Sequence, residues 1–223
     1  MLKNIDNNIW VSEQPLKYWG LEVGTRMTIV RLKTGELMVI SPIQVNNITI
    51  DELREIGKVH FIIAPNLYHH LFVTDFQALY PQAKLLVATG LELKRADLKI
   101  DLILDEDTPQ FWDEVEYLYF EGFKVLDIGG PSPLQEIVFF HRESKTLILT
   151  DTAFYFDASF PWITQLATRV IGGYNKLGPS LLEKLATKDK NKIEKSIRQI
   201  LRWDFKRIVM AHGSIVENEA KKK

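Results

Sequence analysis

Residues Val59–Leu79 read VHFIIAPNLYHHLFVTDFQAL. The run His60–Ala64 is a short apolar strand, and Pro65-Asn66 breaks it. Two adjacent histidines, His69 and His70, come next, and Leu71–Leu79 has amphipathic, helical spacing. A strand that ends in a polar loop and opens a helix is where α/β proteins place ligands. The rest of the chain is therefore read for what converges on this loop.

Downstream, Pro81 stops the helix and Ala83–Ala88 (AKLLVA) is a buried strand, so a parallel strand–helix–strand crossover is expected. Thr89–Arg95 is a short helix. Upstream, Asn8–Ser12 is an edge strand and Lys17–Thr25 a glycine-containing loop. Arg26–Leu32 and Glu36–Ser41 flank Lys33-Thr34-Gly35, a hairpin turn signal. Thr49 is expected to cap a helix over Thr49–Ile56 that ends at Gly57. In the second half, Leu102–Leu104, Val115–Phe120, Val125–Ile128, Glu136–His141 and Thr146–Thr150 are strand-like. Gly129-Gly130-Pro131 closes one of them. Trp162–Ile171, Pro179–Leu185 and Asp189–Trp203 read as helices, and Lys206–Ala211 as a last buried strand.

The 223 residues, 46% hydrophobic and 26% charged, fit one domain spanning 1–223. A net charge of −1 gives no electrostatic footprint for nucleic acid. The chain has no cysteine, which excludes disulfides, thiolate metal sites and cysteine nucleophiles. The first residues lack the apolar core of a secretory signal, and no run of about 18 apolar residues exists. A cytoplasmic protein without a transmembrane segment is expected.

Three strand exits carry metal-binding side chains: His69-His70 after HFIIA, Asp151 after TLILT, and His212 after RIVMA. Three imidazoles and a carboxylate form a nitrogen and oxygen donor set suited to one divalent ion, zinc first, then iron or manganese. Adjacent histidines point to opposite faces of a regular strand, but a turn opening a helix lets both reach one ion. The same spacing also fits two surface histidines and an aspartate that caps a turn.

The order strand, histidine loop, helix, then LILTD, then IVMAHG, resembles the metallo-β-lactamase fold superfamily, in a domain-of-unknown-function branch rather than a named enzyme. The resemblance implies an α/β, four-layer αββα sandwich with a metal site at one edge. Laid on the superfamily pattern T-H-x-H-x-D-H, the first two histidines fall on Pro65 and Leu67, the aspartate on His69 and the last histidine on His70. The turn that carries the next histidine matches Gly129-Gly130-Pro131-Ser132-Pro133, which has none. The bridging aspartate matches Asp151 and the terminal histidine His212. An aspartate that usually ends the second hairpin strand falls near Ser41. One half of a two-metal site is thus dismantled, and His69, His70, Asp151 and His212 are the expected ligands of a single ion.

The function this implies is a mononuclear metal-dependent hydrolase of an ester, thioester or related small substrate. Water on the ion would do the chemistry, with Asp151 as candidate base. The competing reading is a binding or interaction domain without catalysis, using the aromatic segment 154–174 as a surface contact or a homo-oligomer interface. Asn66 borders the loop, where turn chemistry alone accounts for it. His60 reads as a strand histidine and His141 as a solvated turn residue. Arg169, Asn175 and Lys176 fit surface charge and polarity, and Trp19, Tyr155, Phe156, Phe160 and Trp162 fit core or interface.

Overall fold

The computed structural model describes residues 1–127, 130–181, 185, 187, 189–217 and 220–222, with no side-chain description at 125–127, 130–132 and 222. The first half builds a seven-stranded sheet in the order β1-β2-β5-β6-β7-β8-β9. Its strands are β1 (Lys3–Asp6), β2 (Ile9–Gln14), β5 (Thr25–Arg31), β6 (Glu36–Ile40), β7 (Lys58–Ala64), β8 (Lys84–Ala88) and β9 (Leu102–Leu104). A small hairpin, β3 (Lys17–Tyr18) and β4 (Leu21–Glu22), projects between β2 and β5 in the chain. The second half builds a four-stranded sheet, β10 (Val115–Asp127), β11 (Gly130–His141), β12 (Thr146–Ile148) and β13 (Arg207–Val209). The α-helices with described bounds are α1 (Asn47–Ile56), α2 (Val73–Leu79), α3 (Leu91–Lys94), α4 (Trp162–Ile171) and α5 (Lys190–Ile200).

Period-two alternation sorts the apolar side chains into layers. In β6, Leu37 and Val39 join Leu53 of α1 and Phe76 of α2 on one face. Met38 and Ile40 point the other way, with Ile63 and Leu86, and meet Val115, Ile137, Phe139 and Ile148 of the second sheet. The opposite face of that sheet, with Val138, Phe140 and Leu147, packs on Ile193 and Ile200 of α5. Helices, sheet, sheet and helix therefore stack as the expected αββα sandwich. β7 and β8 pair in parallel through α2, as the strand–helix–strand reading requires.

Several local expectations shift. Helix α1 starts earlier than Thr49, because Asn46 is the cap and its Oδ1 accepts the Thr49 amide at 3.0 Å. The two strands expected at Val115–Phe120 and Val125–Ile128 are one, β10, interrupted by a register shift between Phe120 and Phe123. Residues 130–133 of the expected glycine-proline turn pair with β10 instead, while Ile128 and Gly129 lie outside the described residues. Residues 182–184 of the helix expected over Pro179–Leu185 also lie outside them.

Candidate metal centre

Parallel pairing delivers two of the site's side chains together. β12 and β13 are neighbours in parallel register, with Ile148 opposite Val209. Asp151 and His212 each follow that pair by the same number of residues, so both emerge at one edge. The histidine loop comes from the other sheet and is tied across by the Ile137 amide, which donates to the Pro65 carbonyl at 2.8 Å. Asn66 then shapes the loop. Its Oδ1 accepts the amides of Tyr68 at 2.8 Å and His69 at 2.9 Å, an Asx turn that fixes where His69 points.

Among the described residues, His69, Asp151 and His212 offer ligand atoms that all lie within 4.8 Å of one another. His69 Nε2 is 3.2 Å from Asp151 Oδ2, and His212 Nε2 is 3.5 Å from Asp151 Oδ1. Donors about 2.1 Å from a tetrahedral zinc sit about 3.4 Å apart, so these separations fit one ion. The tautomer of His212 supports the same reading. Its Nδ1 lies 2.5 Å from the Gly24 carbonyl oxygen, which can only accept, so Nδ1 carries the proton. Nε2 is then a bare lone pair facing a carboxylate oxygen, an arrangement that a cation between them would stabilise. His69 Nδ1 lies 2.6 Å from Ser41 Oγ. That hydroxyl can accept from Nδ1–H, which likewise frees Nε2 as a donor to metal.

Charge in the site follows from burial and partners. Burial alone would raise Asp151, but the charge and hydrogen bond of His69, with His212 and Asn66, bring it down to about 2. Burial opposes the protonation of His69, yet the Asp151 charge and hydrogen bond outweigh it and raise its pKa. Burial and the neighbouring His69 hold His212 below its ordinary value, against the pull of Asp151.

A second layer of buried groups supports these three. Asn66 Nδ2 donates to Asp151 Oδ2 at 2.8 Å and to Thr150 Oγ1 at 3.0 Å. Glu136 is fully buried and accepts the amides of Thr150 and Asp151 at 2.8 and 2.7 Å, and the Thr152 hydroxyl at 3.0 Å. Burial and the nearby Asp151 charge raise its pKa. Arg26, buried in β5, donates to the carbonyls of Met210 and Gly213 on either side of His212 and to Glu13. Gly213 has φ +83, and a Cβ there would stand 2.3 Å from the Tyr155 carbonyl oxygen, so only glycine fits.

His70, the fourth ligand expected from the sequence, lies outside this three-residue group. Its Nδ1 sits 2.9 Å from Nη1 of Arg95, the residue that follows α3. Burial, then the charges of Lys94 and Arg95, lower its pKa to about 4 and keep it neutral. His141 is buried rather than solvated, with Nδ1 2.8 Å from Ser144 Oγ. His60 pairs with Glu36 at 3.0 Å, away from the centre. Arg169 stacks over Tyr174 at 3.8 Å. Of the aromatic segment, Phe156 is buried and Trp162 exposed, and the neighbouring Phe154 ring lies 6.4 Å from that of His212. Glu136 and Arg26 were not anticipated; a charged residue inside an apolar run, as in EIVFF and RMTIV, is the signal that marks them.

The architecture and the edge position of this centre define the metallo-β-lactamase fold. A metallo-β-lactamase from Pontibacter korlensis superposes with a TM-score of 0.64 at 14% identity, covering 97% of this chain and 93% of that one. A metallo-β-lactamase from Hirschia baltica gives 0.62 at 10% identity, covering 97% and 92%. The metallo-β-lactamase FIM-1 from Pseudomonas aeruginosa, in its mono-zinc form, gives 0.63 at 11% identity, covering 97% and 89%. The chain belongs to the family described as Domain of unknown function (DUF4336), whose model matches residues 6–176. That span includes His69 and Asp151 and stops before His212. No curated protein matches the sequence.

Proposed function

We propose that the chain is a mononuclear metal-dependent hydrolase in which His69, Asp151 and His212 hold one divalent ion, zinc by preference. The observation that carries this reading is the bare His212 Nε2 facing the ionised Asp151, its other nitrogen committed to the Gly24 carbonyl. Three protein ligands leave a coordination position open, as catalytic rather than structural zinc sites do. A bound ion supplies Lewis acidity toward an acyl oxygen and lowers the pKa of water. Asp151, held at about 2, suits a ligand and is too weak a base for proton transfer near neutral pH. Asn66 keeps Asp151 aimed, Gly24 fixes the His212 tautomer and Ser41 steadies His69. Esters, thioesters and related small acyl compounds are the substrates this chemistry serves.

A second reading is favoured by one contact. The raised pKa of His69 lets a protonated imidazole serve as the counter-ion of Asp151 at 3.2 Å, closing the cluster without metal. The fold would then be a binding domain. Metal analysis of the purified protein separates the two. The hydrolase reading expects one zinc-class ion per chain, lost in His69→Ala and His212→Ala and kept in His70→Ala. No bound metal after reconstitution with zinc, iron or manganese refutes it. Activity on an ester and thioester panel should track metal content.

A further inference from the structure

Helix α4 is built inside out. Its buried residues are Thr164 and Thr168, and Thr164 Oγ1 donates to the Glu22 carbonyl of β4 at 3.0 Å. Trp162, Ile163, Leu166 and Val170 face outward and are 71, 52, 55 and 72% exposed. The adjoining hairpin adds Trp19, 73% exposed and stacked on Tyr18 with ring centroids 5.6 Å apart. Solvated helix faces carry charge, whereas this one carries a single cation, Arg169, laid over Tyr174.

We infer that this face docks a second copy of the chain. Area is the first argument. With about 200 Å² for a whole aromatic and about 100 Å² for an aliphatic side chain, the exposed fractions leave on the order of 500 Å² of apolar surface. A standard interface takes about 800 Å² from each partner, about 65% of it apolar in homodimers, or roughly 500 Å². Geometry is the second. Trp162, Leu166 and Val170 are spaced by four and form one ridge along the helix. Leu166 is its midpoint, so a two-fold axis there sets Trp162 against Val170 of the second copy, a self-complementary contact. Charge decides against a lipid surface as the occupant. Interfacial membrane helices are flanked by many Lys and Arg, but here Arg169 is stacked, Lys17 is paired with Glu22 at 3.7 Å, and the chain carries −1 overall.

The chain's lack of cysteine makes the test direct. Sedimentation of the full-length protein should show a dimer at tens of micromolar, and Leu166→Lys should shift it to monomer with unchanged circular dichroism and a cooperative melt whose midpoint no longer depends on protein concentration. Leu166→Cys should cross-link between copies with a short bismaleimide, while Leu93→Cys, at a site 83% exposed on α3, should not. A monomer at every concentration, a dimer that survives Leu166→Lys, or equal cross-linking at both cysteines overturns the inference. So does a monomer that sediments with phosphatidylcholine–phosphatidylglycerol vesicles, which assigns the face to lipid. None of these readouts depends on metal.

Discussion

Replacing Gly213 with alanine should disrupt the metal centre, and Gly35 supplies the matched control. The two glycines have nearly the same backbone, φ +83 and +84. Any L-residue at such an angle costs about 1–2 kcal/mol, so Gly35→Ala and Gly213→Ala share that penalty. They differ in space. A Cβ at Gly35 meets nothing within 4 Å, whereas at Gly213 it stands 2.3 Å from the Tyr155 carbonyl oxygen and 3.0 Å from its carbon. Backbone must retreat by about 1 Å to restore ordinary contact, which ruptures the Ser214 amide bond to that oxygen, now 2.7 Å. Stranding that amide adds about 1–3 kcal/mol. Gly213→Ala should thus lose about 2–5 kcal/mol against about 1–2 for Gly35→Ala. At roughly 2–4 °C per kcal/mol for a chain of this size, the melting temperatures should fall by about 4–20 °C and by about 2–8 °C respectively. His212 is the adjacent residue, so Gly213→Ala should also weaken zinc binding by at least about tenfold, whereas Gly35→Ala leaves it unchanged. Thermal melts and zinc competition titrations measure both. Equal losses in the two variants, or full zinc affinity in Gly213→Ala, would refute the argument.

Other perturbations test the layers behind the ligands. Asn66→Ala deprives two loop amides of their acceptor and Asp151 of a donor, so it should cost about 2–4 kcal/mol in urea unfolding and lower zinc affinity by about 10–100-fold. Arg26→Met strips the Met210 and Gly213 carbonyls of their buried donor and should cost about 2–4 kcal/mol by the same assay, with most of the loss unrelated to Glu13, which is solvated. Far from the site, partial burial would raise the Asp6 carboxyl, but its hydrogen bond to Arg207 holds it at about 2, below the ordinary 3.8. The folded pKa lies below the unfolded one, so the ionised group stabilises the fold above about pH 4 and that contribution fades as pH falls toward 2. Asp6→Asn should flatten the stability profile between pH 4 and 2, as read by chemical denaturation at each pH.

Much of the architecture was legible because it rests on local periodicity. The alternation in RMTIVR and ELMVI assigns side chains to the two faces of one sheet, and the helical spacing of Leu71–Leu79 and Asp189–Trp203 supplies the covering layers. Helix boundaries were less legible. Asn46 competes with Thr49 for the cap, and only the bond from the Thr49 amide decides between them. The β10–β11 pair looks like separate short strands in the sequence, because Pro133 looks like a stop yet pairs with Lys124, and Gly122 falls in the register shift between Phe120 and Phe123 that the long hairpin runs through.

The centre shows where the division falls. Residue type and position at a strand exit were enough to single out His69, Asp151 and His212, since an apolar run followed by a ligand-type side chain is a local pattern. They also singled out His70, which stands outside the cluster of described residues. Which of two adjacent imidazoles faces Asp151 depends on an Asx turn at Asn66 and on an arginine 25 residues downstream, Arg95. Glu136, Arg26 and the Gly24 carbonyl bear on the site from 15, 187 and 188 residues away in the chain. The sequence alone determined the layers and the candidate ligands, because those are written in neighbouring residues. Only the tertiary structure decided which candidates cluster, because side-chain direction is set by hydrogen bonds between residues far apart in the chain.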